Sequence, residues 1–173
     1  MKFKLTYKTH IKIIMTSLLF IIIFYNKIMS SELDFLKATS NLYPLQYPIL
    51  ATMLIMLSLA VPITLVHEGI HAIFQKLYGG KVKFIFKIIY AAVQETSGNP
   101  LSLKQFTFVL LSPVIIISLI CLLLPKWLGP LIFYTNLLGS FGDIYMTIGL
   151  LKYPTNSKII DKSYGYLVIN TFN

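Results

Sequence analysis

The sequence predicts an all-α integral membrane protein of about four transmembrane helices, with a short β-hairpin or re-entrant loop between the second and the third. Three observations predict it. Of the 173 residues, 56% are hydrophobic and 12% charged, where a soluble domain carries roughly 25% charged residues. Four apolar windows are long enough to cross a hydrocarbon core of about 30 Å, which takes roughly 20 residues. The lysines fall between those windows and are distributed asymmetrically about them.

The first window covers Ile11 to Ile28, and its apolar core from Ile13 to Tyr25 follows Lys2, Lys4, Lys8 and Lys12. A basic stretch before an apolar core is also the pattern of a secretory signal peptide, but small residues at a cleavage position are poorly represented. The second window runs from Pro48 to Gln75, the third from Phe106 to Leu124 and the fourth from Leu128 to Leu151. Between the second and third, Val82, Phe84, Phe86 and Ile88 alternate with other residues, a period of two that suggests a strand. Gly79-Gly80 and Ser97-Gly98-Asn99-Pro100 bracket that stretch, as turns around a hairpin would. An amphipathic cytoplasmic loop fits the same pattern. The organisation is then an N-terminal basic segment, first span and external loop over residues 1–47, followed by a membrane-embedded domain with a cytoplasmic tail over 48–173.

With both termini cytoplasmic, twelve lysines lie inside and three outside, the asymmetry expected of a multi-pass protein of a cell membrane. A net charge of +9 would suggest nucleic acid in a soluble chain. Lysines flanking apolar spans instead set topology and meet anionic lipid, so the bilayer is the expected partner and nucleic acid is not. The absence of arginine beside abundant Ile, Lys and Asn points to an AT-rich bacterial genome. Cys121, the single cysteine, cannot form an internal disulfide.

The chemistry sits in the second window, which reads Val66-His67-Glu68-Gly69-Ile70-His71. In a helix, His67 and His71 at i and i+4 lie on one face and can converge on one zinc ion, with Glu68 beside it as a general base for water. Three adjacent ionisable side chains inside a membrane span each cost roughly 2.5–3.5 kcal/mol on insertion scales, a cost that calls for a function. The competing view is a polar core in which the three merely satisfy one another.

A catalytic zinc takes a third protein ligand and leaves a position open. Asp143, the one acid in the fourth window, is the candidate. Depth agrees: His67 and Asp143 each lie eight residues before the inner end of their windows, about 12 Å from the cytoplasmic boundary. Asn136, Ser140, Asp143 and Thr147 form a polar stripe on the same helix. Asn136 can contact substrate or an oxyanion, or simply join two helices. Gly69, Gly139 and Gly142 permit close helix approach. Pro62 and Ser112-Pro113 each free a helical carbonyl at a depth where it must face protein or a water-filled cavity; ordinary kinks are the other reading. His10 is expected in solvent, and Glu95 and Asp161 in loops, with Glu95 a reserve ligand only if its loop re-enters the membrane.

These residues give the chain a resemblance to the zincin peptidase family of small bacterial membrane proteins, a domain of unknown function of the HExxH type. It covers about Ile49 to Ile169 and rests on His67-Glu68-Gly69-Ile70-His71, Leu111-Ser112-Pro113, Gly142-Asp143 and the tail Asp161-Lys162-Ser163-Tyr164-Gly165-Tyr166. The chain is also distantly similar to the site-2 proteases, which pair an intramembrane HExxH with Asn-x-x-Pro leading to a ligating Asp-Gly. Here Asn136 to Asp143 lacks that proline, and the aspartate stands one position closer and is not followed by glycine.

Residues and resemblance together predict a membrane-embedded zinc metallopeptidase with one zinc per chain. His67, His71 and Asp143 hold the metal, Glu68 acts as general base, and the substrate is a peptide or membrane protein. An extended substrate strand would pair with an edge of the Lys81 to Ile88 segment. The alternatives are a non-enzymatic metal-binding membrane protein with a transport, immunity or scaffold role, a different hydrolase, or an inactive scaffold.

Overall fold

The computed structural model describes residues 1–39, 48–87 and 90–169. The boundary drawn between residues 47 and 48 abuts residues outside that set, and Ile88 lies outside it. In chain order the elements are β1 (Lys2–Lys4), α1 (Tyr7–Ala38), α2 (Pro48–Leu77), β2 (Val82–Lys87), β3 (Tyr90–Glu95), β4 (Leu101–Ser102), α3 (Leu103–Cys121), α4 (Gly129–Gly139), α5 (Phe141–Leu150), β5 (Lys158–Lys162) and β6 (Gly165–Ile169).

Among the described residues, three helical stretches are long and apolar enough to cross a membrane: Tyr7–Ala38, Leu57–Leu77 and Leu103–Cys121. Their outward residues, such as Ile22, Leu57 and Leu119, are exposed, as suits a face turned to lipid. The fourth predicted span is not one helix. It divides at Ser140 into α4 and α5, of 11 and 10 residues. Gly139 and Gly142 flank the break, and the Ser140 hydroxyl and N–H both donate back to the Asn136 carbonyl.

α2 ends where Gly79 adopts φ +85°, a conformation that other residues rarely reach. The hairpin expected after it is present: β2 and β3 pair antiparallel, from Val82 opposite Glu95 to Lys87 opposite Tyr90. α3 starts with a reciprocal cap, in which Ser102 accepts from the Gln105 N–H and the Gln105 side chain accepts from the Ser102 N–H.

The all-α expectation is corrected by a second sheet of order β1-β6-β5-β4, built from both ends of the described chain and the entry to α3. Its apolar face closes the main core with Phe106, Val109, Leu110 and Leu150 against Ile159, Tyr166 and Val168. Phe3 stacks on Tyr166 with ring centroids 4.5 Å apart, and both lie over Gly149 of α5. A Cβ at Gly149 would come within 2.9 Å of the Phe3 ring, so this glycine lets the sheet seat on the helix that carries Asp143. The two described chain ends therefore lie on the same side of the molecule, in the sheet that packs on α5.

Candidate metal centre

α2 passes unbroken through Pro62 and presents His67 and His71 one turn apart on its buried face. The break at Ser140 starts α5 so that Asp143 falls in its first turn, where a helix N-terminus favours a carboxylate. His67 and Asp143 come together. His67 Nε2 lies 3.1 Å from Asp143 Oδ2 and 3.1 Å from His71 Nε2, and His71 Nε2 lies 3.6 Å from the same carboxylate oxygen. Zinc–ligand bonds of about 2.0–2.1 Å at tetrahedral angles put neighbouring ligand atoms about 3.3 Å apart. The triangle of donor atoms therefore has the size that a zinc ion needs.

The tautomers agree. His67 Nδ1 is 3.0 Å from Asn136 Oδ1, and His71 Nδ1 is 2.8 Å from the Val109 carbonyl. Carbonyl oxygens only accept, so each ring donates through Nδ1 and keeps a lone pair on Nε2. Two lone pairs and a carboxylate oxygen facing one another repel unless a cation lies among them. Such outer hydrogen bonds are how proteins orient imidazole ligands. Asn136, buried and with its Oδ1 engaged by His67, stands where it orients that ligand. Asn136→Ala is expected to weaken zinc binding about 10- to 100-fold while the protein still folds, measured by competition with a chromogenic chelator.

Glu68 projects from the neighbouring position of α2. Its Oε2 accepts the Val93 N–H at 2.7 Å, and among the described residues no hydrogen bond engages Oε1. Val93 belongs to β3, so the hairpin anchors this carboxylate beside the histidines. Two cavities meet at the cluster. One, of about 230 Å³, lies toward the sheets and is lined by Glu68, His71, Gln75, Val93, Asp143 and Asp161. The other, of about 380 Å³, lies between α2 and the α4–α5 break, with His67, Glu68, Asn136, Gly139, Gly142 and Asp143 on its wall. Either is large enough for several waters of about 30 Å³ each.

Two further acids, Glu95 and Asp161, lie near the site. Glu95 ends β3, and its carboxylate takes the N–H groups of Lys81, Ser97 and Gly98 and the Ser97 hydroxyl. Despite its burial, those hydrogen bonds hold its carboxyl below the usual range. It closes the turn after β3 and stands outside the donor cluster. His10 is exposed on α1.

Asp161 lies on β5 rather than in a loop, and it accepts from Gln75 Nε2 at 3.3 Å, one turn beyond His71. Burial pushes its carboxyl up to about 7, only partly offset by backbone N–H groups of Lys162 and Glu95. An unfolded aspartate titrates near 3.9. Between those values the folded chain keeps a proton that the unfolded chain has lost, so this residue makes stability fall as pH rises from about 4 to about 7. In metal-stripped protein, Asp161→Asn is expected to raise the thermal midpoint above wild type most at pH 8, less at pH 5, and little at about pH 4.

A helix-borne HExxH whose two histidines meet a carboxylate from another helix, with the glutamate beside them, is the donor set of a zincin-type metal site. The chain belongs to the family described as "Putative zincin peptidase", whose model matches residues 60–158. That match ends before Asp161, so the expected extent of Ile49 to Ile169 is wider than the match on both sides. Over 116 residues the chain is also 29% identical to an uncharacterised 24.7 kDa protein in a gap 5' region of Pyrococcus woesei. The alignment takes in 60% of this chain and 51% of that protein, so the chain spans about half the length of this relative. No solved structure matches it significantly.

Proposed function

We propose that the protein is a membrane-embedded zinc metallopeptidase that hydrolyses peptide bonds in peptide or membrane-protein substrates. The observation that carries this is the triangle of His67 Nε2, His71 Nε2 and Asp143 Oδ2, 3.1–3.6 Å on a side, with Glu68 alongside and cavities on two sides. Family membership supports the same reading. His67, His71 and Asp143 would hold one zinc per chain, which when bound makes water more acidic and polarises a carbonyl.

The chain's own residues supply the rest. Asn136 and the Val109 carbonyl fix the two imidazoles, so the ligands need no rearrangement to receive the metal. Glu68, held through Oε2 by the Val93 amide, takes the proton of the attacking water and delivers it to the departing amine, as a positioned general acid–base does. A transmembrane substrate must unwind first, because an intact helix shields its peptide bonds. Of the two hairpin strands, β3 rather than β2 carries the amide that meets Glu68. An extended substrate is therefore better served along β3 than along the outer edge of the Lys81 to Ile88 segment.

The lysine asymmetry supports residence in a bacterial cell membrane with both termini cytoplasmic. The pairing of β1 with β6 supports the two ends sharing a side.

The test is a search for newly created N-termini in a bacterial membrane-protein extract reconstituted with the zinc-loaded protein. Cleavage products that vanish with 1,10-phenanthroline and return on adding zinc are expected. Products that are insensitive to the chelator, or none above a protein-free control, would overturn the assignment.

A further inference from the structure

The Val109 carbonyl receives hydrogen bonds from outside the helical ladder, one from His71 Nδ1 at 2.8 Å and one from the Ser112 hydroxyl at 2.9 Å. In a regular helix that oxygen would belong to the N–H four residues on. Here the fourth residue is Pro113, which has none and sits within α3. Val109, Ser112, Pro113 and His71 are all buried. A carbonyl has two lone pairs, and His71 and Ser112 use both. A third donor at residue 113 would have to displace one of them.

We infer that Pro113 is a positioning residue of the metal centre. By lacking an N–H it reserves the Val109 carbonyl for His71, which fixes the Nδ1-protonated ring and turns its Nε2 lone pair toward His67 and Asp143. The inference rests on the assignment of those three residues as metal ligands. It gives the proline a chemical duty distinct from bending the helix: α3 carries a missing hydrogen bond where α2 needs an acceptor. Ser112 contributes by filling the second lone pair, so the oxygen has no unmet demand once His71 is in place.

The experiment compares Pro113→Ala, which restores an N–H, with the same position carrying the α-hydroxy analogue of alanine, whose backbone ester lacks the N–H as proline does. Both lose the ring and only the first gains the donor. Zinc affinity is measured by chelator competition. The Nδ1 proton of His71 is read by ¹⁵N resonance in metal-stripped protein labelled at its three histidines.

The expected result is zinc binding weakened about 10- to 100-fold in Pro113→Ala, with the Nδ1-protonated signal of His71 lost or broadened and both properties retained in the ester variant. Unchanged affinity and an unchanged His71 signal in Pro113→Ala would overturn the inference. So would equal losses in both variants, which would mark the proline ring as structural. Should wild type hold no zinc, the metallopeptidase reading fails, while the His71 signal still decides whether Pro113 controls that ring.

Discussion

Glu68→Gln is expected to bind zinc as wild type does and to lose peptide hydrolysis by roughly 10²- to 10⁴-fold. Glutamine has the same shape, and its side-chain oxygen can still accept the Val93 N–H that holds Glu68 at 2.7 Å. The local fold therefore has no reason to change. What disappears is a carboxylate able to take a proton from water, and neither Glu95 nor Asp161 can replace it. Glu95 is committed to the turn after β3, and Asp161 is engaged by Gln75, one turn farther along α2. The check is a product-formation rate on whichever substrate the search yields, with zinc content measured on the same samples. Retained activity in Glu68→Gln would remove this residue from the reaction. Joint loss of zinc and activity would give it a structural role.

The second large effect is on the metal itself. Asp143→Ala takes away the one anionic donor and leaves two imidazole nitrogens 3.1 Å apart in a buried site. Loss of an outer-shell partner already costs about 10- to 100-fold in metal affinity, so loss of a direct ligand is expected to exceed about 100-fold. His67→Ala should behave alike, and it also strands the Asn136 side chain. Because a metal that binds only the folded state stabilises it in proportion to its concentration over its dissociation constant, the readout is thermal. Wild type and Glu68→Gln should melt higher with added zinc, whereas Asp143→Ala and His67→Ala should not. A zinc-dependent shift that survives in Asp143→Ala would move the third ligand elsewhere in the chain.

The candidate site was more legible in the sequence than the fold around it, for physical reasons. His67, Glu68 and His71 declare themselves because charged groups inside an apolar helix are costly and because a 3.6-residue period puts positions i and i+4 together. Asp143 could be added by counting residues to the ends of two spans, since both helices rise about 1.5 Å per residue. Helix rise does not depend on tertiary context, and His67 and Asp143 meet despite the break at Ser140.

The β1-β6-β5-β4 sheet was not legible. β1 has three residues and β4 two, too short to show a period, and what makes them strands is pairing with residues more than fifty positions away. The division of the fourth span at Ser140, between Gly139 and Gly142, falls inside a continuous apolar window, and hydropathy does not register it. The acceptor for His71 had a signal in the sequence, since a proline at 113 frees the carbonyl at 109. Only the packing of α2 on α3 shows what that carbonyl meets. Asp161 read as a loop residue, and it lies in a strand through its pairing with Tyr166 of β6.

The measurement that bears most directly on the central claim is the zinc-edge X-ray absorption spectrum of the purified wild-type protein, with one equivalent of zinc in detergent. The account predicts two imidazole nitrogens and light oxygen donors at about 2.0–2.1 Å and no sulfur, with the imidazole signal reduced to one ring in His67→Ala. A sulfur shell, which would put Cys121 on the metal, or a spectrum of hydrated zinc without imidazole, would contradict it.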